Sequence, residues 1–423
     1  PDAAVMEVES IIREDPRAEG VARQLIGLYV TLERFDQAEA RALAFRQQFP
    51  NSPFWPFRLG QLTEERARRT NDPIRRAELL RTAGQYYRSA AEVSKFAPDA
   101  VAQYVKTLLA TGQNDEAINY VTRTLPPDKR TFEHRILLAN AYAKKGTPEQ
   151  VAREFEEAAK ATNGSPLGLR VVAESLPLTL GLEPALKWAR EHAAAAGNWT
   201  GKYMLAVLQA RNAEAAQRQN RLEDAKAAFA EAEKSLREAL AAAEKQEDRL
   251  NMMRALAQFL YSRKQLDESC KLSMQIVEAA PNDVVTLNNL AYLLMTDLGK
   301  PKEAYEYAKR AAALAPTNAN VLDTYGWNLC LLGKPAEAIG PLSIALDLES
   351  ENTLARYHRA IVYKKLSETG KGDAAKLAEA ARKDAKLAYD LAVQKKETDN
   401  IKLTADLLKE LGITPPPPTT ATK

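Results

Sequence analysis

A pattern recurs along this chain with a period of about 34 residues, and no other feature restricts its fold as strongly. Leu290-Ala291, Gly299, Ala304, Ala308, Ala311 and Pro316 return as Tyr325-Gly326, Gly333, Ala338, Leu342 and Ala345. Pro16 and Pro50 lie 34 positions apart and Pro281 and Pro316 lie 35 apart, so the spacing holds at both ends. A unit of this length holds two short helices and a turn. It cannot bury an apolar face alone, so neighbouring units must stack, and function falls to the surface the stack creates.

Within 282–316 the physics is legible. Leu287, Leu290, Ala291 and Leu294 follow the i, i+3, i+4, i+7 spacing of one helical face. Leu298-Gly299-Lys300-Pro301 breaks that helix, glycine suiting a left-handed C-cap and proline the first turn of the next helix. Ala304, Ala308 and Ala311 are small enough for the second helix to nestle against the first. Pro316 ends it, because proline cannot continue the hydrogen-bond ladder.

These elements resemble the tetratricopeptide repeat family: Leu-Ala or Tyr-Gly in a first helix, a turn glycine, an early alanine in the second helix and a closing proline. Residues 250–350 fit as three consecutive units. So do 22–50 (Leu25, Tyr29, Ala38, Pro50), 101–124 (Tyr104, Leu108, Gly112, Ala117) and 131–163 (Leu138-Ala139, Tyr142, Gly146, Phe155, Ala158). Other stretches depart from the pattern. Residues 51–98 hold extra residues around Arg66–Arg76, 166–198 contain Pro177, and 199–247 read as two over-long helices. The resemblance covers nearly the whole chain and implies an all-α, right-handed α-solenoid of about ten antiparallel helix pairs. The expected organisation is a second helix of a truncated repeat (1–16), N-terminal repeats with an insertion near 64–77 (17–165), irregular long-helix repeats (166–247) and regular repeats (248–397). A capping helix (398–412) and a Pro-rich tail (413–423) complete it.

The 423 residues exceed what one globular core supports, about 250–300 residues, and a solenoid escapes that limit because each unit touches only its neighbours. The net charge of +3 makes no case for nucleic acid or an anionic membrane as the main partner. No apolar run reaches the roughly 18 residues of a bilayer span. The chain starts at Pro1 with a helix pattern (Val5, Val8, Ile11, Ile12) closed by Asp15-Pro16, which reads as the middle of a repeat and hence a piece of a longer protein. At the other end Ile401, Leu403, Leu407, Leu408 and Leu411 would seal the last unit.

The inventory for catalysis is poor. His134, His192 and His358 fall in different units and read as packing or surface residues, Cys270 and Cys330 as free thiols. No metal-binding, phosphate-binding, nucleophile-elbow or dinucleotide motif occurs, so neither a cofactor nor an enzymatic role is expected. The Arg-rich stretch Arg66, Arg68, Arg69, Arg75, Arg76 and Arg81 is interleaved with Glu64, Glu65, Asp72 and Glu78 and reads as a solvated face.

In the family, ligand contacts come from first-helix residues facing away from the second helix. That logic selects Arg254, Gln258 and Tyr261; Asn288, Asn289, Tyr292 and Met295; Asn320, Asp323, Thr324 and Trp327; and Tyr357, His358 and Ile361. The expected partner-binding set is Arg254, Gln258, Asn288, Asn289, Tyr292, Asp323, Trp327, Tyr357 and His358. Aromatic groups supply contact area and amides bond an extended backbone in both directions, so the expected partner is a protein or peptide. The alternative for Tyr292 and Trp327 is to plug the space between units. Phe54, Phe57 and Gln61, with Trp55 nearby, mark a second such surface. Residues 287–294, 321–327 and 357–358 are similar to terminal repeats of bacterial tetratricopeptide proteins tied to exopolysaccharide export and envelope protein sorting. This implies a scaffold in the periplasm or cell envelope. A cytoplasmic adaptor, or a repeat domain attached to an upstream enzyme, stands as the alternative.

Overall fold

The computed structural model describes residues 2–369 and 373–416. Of the predicted Pro-rich tail 413–423, residues 417–423 lie outside the described residues. The chain divides into two compact units, one ending at Ala242 and the other beginning at Ala243.

The first unit contains α1 (Asp2–Glu14), α2 (Glu19–Thr31), α3 (Phe35–Gln48), α4 (Phe54–Arg69), α5 (Pro73–Val93), α6 (Pro98–Ala110), α7 (Asn114–Thr124), α8 (Phe132–Lys144), α9 (Pro148–Ala161), α10 (Pro166–Leu180), α11 (Leu182–Ala196), α12 (Trp199–Arg218) and α13 (Leu222–Ala242). The second contains α14 (Gln246–Ser262), α15 (Leu266–Ala279), α16 (Val284–Tyr292), α17 (Pro301–Leu314), α18 (Ala319–Leu331), α19 (Pro335–Leu348), α20 (Thr353–Glu368), α21 (Ala374–Gln394) and α22 (Thr398–Glu410). No strand occurs among the described residues. Each unit is an α-solenoid of helix hairpins. From α2/α3 to α20/α21 the helices form ten antiparallel pairs, six in the first unit and four in the second, with α1 and α22 at the ends.

The apolar spacing does what the sequence requires. Leu287, Leu290, Ala291 and Leu294 are buried, as are Ala304, Ala308 and Ala311 on the mating helix. Burying each leucine contributes about 1.5–3 kcal/mol, and the alanines let the helix axes approach. Gly299 turns the chain at φ +65° and Gly333 at φ +76°, the left-handed conformation that glycine adopts without a steric cost.

The departures from the repeat are accommodated by helix length and geometry. The extra residues of 51–98 lengthen α4 to 16 residues and α5 to 21. Residues 199–247 give the expected pair of long helices, α12 and α13, packed against each other. Pro177 sits inside α10, one turn before Gly181 ends that helix at φ +86°. The interval of 35 between Pro281 and Pro316 has its own explanation: residues Leu293–Asp297 form a π-helical segment after α16, and this wider turn absorbs the one surplus residue. At the C-terminus Leu407 and Leu408 are buried and Ile401 packs beside them, but Leu403 is 38% exposed. That residue lies on the wet side of α22 and takes no part in sealing the last pair.

Candidate partner-binding face

In the second unit the first helices of successive pairs lie side by side, α16 against α18 and α18 against α20. Packing against the second helices consumes one side of each, and the other side stays uncovered. The residues singled out by spacing fall into two groups there.

Gln258, Asn289 and Asn320 are exposed, and Asn288, Tyr292, Trp327, Tyr357 and Ile361 are partly exposed. Tyr292 and Trp327 therefore keep one surface free while their other surface packs on the core of this unit. Burial pushes the Tyr292 and Tyr357 hydroxyls above their ordinary pKa, so both are neutral donors at physiological pH. The Oδ1 atom of Asn288 is buried and has no hydrogen-bond partner among the described residues.

The second group lies beneath. Asp323, Thr324, Met295 and His358 are buried, which corrects the expectation that these four residues line an open surface. For Met295 the reason is the π-helical segment, which turns the residues after Tyr292 out of α-helical register. Its sulfur faces Asn328 Nδ2 at 3.7 Å, and that same amide donates to Pro301 O at 2.9 Å. His358 Nδ1 donates to Asp323 Oδ1 at 2.7 Å, and the Trp327 ring stacks on the imidazole at 4.4 Å between centroids and 13° between planes. Asp323 and His358 thus link α18 to α20 and support Trp327 from below.

Two further residues are engaged in structure. Arg254 Nε donates to Asp283 Oδ2 at 2.7 Å. Asp283 is the N-cap of α16, its Oδ1 accepting from Thr286 N at 3.1 Å, so Arg254 fastens α14 to the next pair. Burial works against ionising Asp283, but Thr286 and Arg254 outweigh it and hold its pKa below the ordinary value. Tyr261 donates to Asp297 Oδ2 at 2.9 Å, tying α14 to the π-helical segment.

One group was missed from sequence. Val285 on α16 is 64% exposed, one turn before Asn289 and on the same side as Asn288 and Tyr292. Its position at i−3 and i−7 from those two residues was the available signal.

The remaining inventory is structural. His134 Nε2 donates to Pro98 O at 2.9 Å while Nδ1 accepts from the Thr131 hydroxyl at 2.7 Å. His192 stacks on Trp188 at 4.7 Å. Cys270 and Cys330 are buried and free, and burial pushes both thiols up in pKa. No group of His, Cys, Asp and Glu among the described residues could hold a metal ion. No described helix is long and apolar enough to cross a membrane. In the Arg-rich stretch Arg68 and Arg69 share Glu65, at 2.9 Å each, and Arg75 meets Glu78 at 3.0 Å, the solvated face expected there.

No family model matches the chain. No curated protein matches it either. Among solved structures, the crystal structure of MamA protein is 22% identical with a TM-score of 0.29, covering 38% of this chain and 93% of that one. The crystal structure of YrrB, titled a TPR protein with an unusual peptide-binding site, is 18% identical with a TM-score of 0.34, covering 48% of this chain and 96% of its own. MamA from Desulfovibrio magneticus RS-1, residue 41 to the end, is 16% identical with a TM-score of 0.34 and covers 43% and 94%.

Proposed function

We propose that this protein is a non-enzymatic scaffold of tetratricopeptide type that binds a peptide or partner helix across the uncovered first-helix face of its second unit. One observation carries the reading. Exposed amides (Gln258, Asn289, Asn320) share the first helices of the second unit with aromatics (Tyr292, Trp327, Tyr357) that pack partly on their neighbours and keep the rest of their surface accessible. Rigid aromatics give contact area at small entropic cost, and amides satisfy a backbone that brings both donors and acceptors. Asp323, His358 and Arg254 act as the supporting layer. The similarity of 287–294, 321–327 and 357–358 to envelope-sorting repeats extends the reading to a bacterial envelope assembly or secretion complex.

Site-specific photo-crosslinking tests it. A benzophenone side chain placed at Asn289, on the proposed face, or at Arg310, exposed on α17, is irradiated in cells producing the full chain. Adducts with a protein partner from position 289 and not from 310 are expected. Equal adducts from both positions, or none from 289, would refute the assignment.

A further inference from the structure

The first unit carries another uncovered first-helix face, on α4. Trp55, Leu59, Gly60, Leu62 and Thr63 are buried on one side of that helix. Phe54, Phe57, Arg58 and Gln61 share the other side, at i, i+3, i+4 and i+7, and all four keep accessible surface. Phe57 meets Tyr87 edge-on at 5.4 Å, and the Arg23 guanidinium lies 4.5 Å over the Phe54 ring.

Arg58 differs from Arg23 on α2, Arg66 on α4 and Lys106 on α6, each of which has a carboxylate partner. It is half-buried, and its one hydrogen bond among the described residues runs from Nη1 to the neutral Gln61 Oε1 at 2.9 Å. Arg23 has Glu19 at 2.8 Å, Arg66 has Glu39, and Lys106 on α6 has Glu133 at 2.5 Å. The acids further along α4 are committed elsewhere: Glu64 accepts from the Tyr87 hydroxyl at 2.8 Å, and Glu65 holds Arg68 and Arg69. Burial alone pushes the Arg58 guanidinium below its ordinary pKa, with no carboxylate to offset it. A guanidinium keeps its proton even so, and the cost remains as a partly desolvated, uncompensated charge. The sequence carries the reason: positions 54, 55, 61 and 62, one helical turn to either side, hold Phe, Trp, Gln and Leu and no acid.

We propose that the α4 face docks an acidic peptide segment of a partner protein, Arg58 binding an Asp or Glu carboxylate while an adjacent apolar side chain rests on Phe54 and Phe57. Accessible groups continue on both sides of the guanidinium, Phe54 and Phe57 before it and Gln61 after. The bound segment therefore runs past Arg58, and the carboxylate is an internal side chain rather than a chain end. A second charge-assisted hydrogen bond satisfies donors that Gln61 leaves free. This site is independent of the face in the second unit.

A display library of random peptides, each held between two fixed linkers, is selected on the immobilised full chain in wild-type, Arg58→Met, Arg58→Glu and Trp327→Ala forms. Wild type and Trp327→Ala are expected to enrich Asp or Glu beside an apolar residue. Arg58→Met should lose that preference and bind a wild-type-selected acidic peptide roughly tenfold or more weakly, the loss of one charge-assisted contact. Arg58→Glu should enrich Lys or Arg instead. Since Arg58 is uncompensated, Arg58→Met should leave Tm unchanged or raise it. The proposal fails if wild type shows no acidic enrichment or if that enrichment survives in Arg58→Met. It also fails if Arg58→Met lowers Tm, which would make the cation part of the fold. Loss of acidic peptides in Trp327→Ala alone would assign them to the second unit and overturn the α4 assignment while leaving the other face standing.

Discussion

Gly326 on α18 lies so close to Leu342 on α19 that a Cβ built at position 326 would stand 2.7 Å from Leu342 Cγ, with Ala338 O at 3.3 Å. Real Cβ atoms essentially never show the first distance, so Leu342 would have to shift, and the second would push on the α19 backbone as well. The helix pair closes to its observed spacing because residue 326 has no side chain. Gly326→Ala should therefore cost measurable stability, and Gly326→Leu should cost about 1–3 kcal/mol by overpacking. Thermal melts of the two variants check this; a Tm equal to wild type for Gly326→Leu would contradict the close crossing.

The same contact shows why so much of the fold was readable in the chain. Tyr325-Gly326, Ala338 and Leu342 recur at fixed offsets because each copy must make the same crossing, and so local a requirement leaves a mark in sequence. Where a turn lacks the glycine, the backbone keeps the left-handed geometry with a different residue. Glu33, Lys264 and Lys396 adopt the left-handed conformation, at φ 57°, 59° and 56°, after the first or second helices of their pairs. Met295 was misplaced for another reason, since a one-residue π-helical insertion rotates the positions beyond Tyr292 and leaves only an interval of 35 as its trace. The Asp323–His358 bond joins residues 35 apart on different helices, so neither residue alone signals it.

Left-handed residues other than glycine carry a backbone cost of roughly 1–2 kcal/mol, part of which returns when the unfolded chain gains the freedom of glycine. Glu33→Gly and Lys396→Gly should each leave stability unchanged or raise it by a few tenths to about 1 kcal/mol. Urea unfolding midpoints of the single and double variants measure this, and a clear loss in either would show that the replaced side chain makes a contact worth more than the strain.

If the segment 293–297 exists to absorb a surplus residue, deleting Thr296, which is exposed, should restore an ordinary α-helical turn and the interval of 34. Deleting Lys309 within α17 has the opposite consequence, because it rotates Ala311 by about 100° away from its buried position. The first deletion should fold with a modest loss of Tm and the second with a large one. Circular dichroism melts separate them, and equal losses would refute the role given to the π-helical turn.

His134 makes part of the stability dependent on pH. Burial lowers its pKa below the ordinary value, although the bond to Pro98 O works in the other direction. The unfolded chain then binds more protons than the native state between the lowered pKa and the ordinary one. Stability contributed by neutral His134 is present above that window and declines as pH falls into it. His192 is shifted the same way and adds to the trend. His134→Gln, which cannot take up the proton, should flatten the decline in unfolding midpoint between about pH 7.5 and about pH 5.5 relative to wild type. An unchanged slope would mean that the imidazole is solvated in the native state.

Trp327 has two surfaces, one stacked on His358 and one free, and its substitution must separate two effects. Binding energy concentrates in buried aromatic anchors, so Trp327→Ala should weaken the photo-crosslinked partner by about 2 kcal/mol or more. It should also lower Tm, because an aromatic stack worth about 0.5–1.5 kcal/mol is lost. His358→Gln removes that stack and the bond to Asp323 but leaves the free face of the indole in place. It should lower Tm with a much smaller effect on affinity, and Trp327→Phe should retain most of both. Arg68→Ala, on a guanidinium that shares Glu65 at the solvated end of α4, should change neither. Titrations of each folded variant against the partner decide the matter. Equal affinity losses in Trp327→Ala and His358→Gln would mean that the indole acts through the fold, while normal binding by Trp327→Ala would remove the second-unit face as the site.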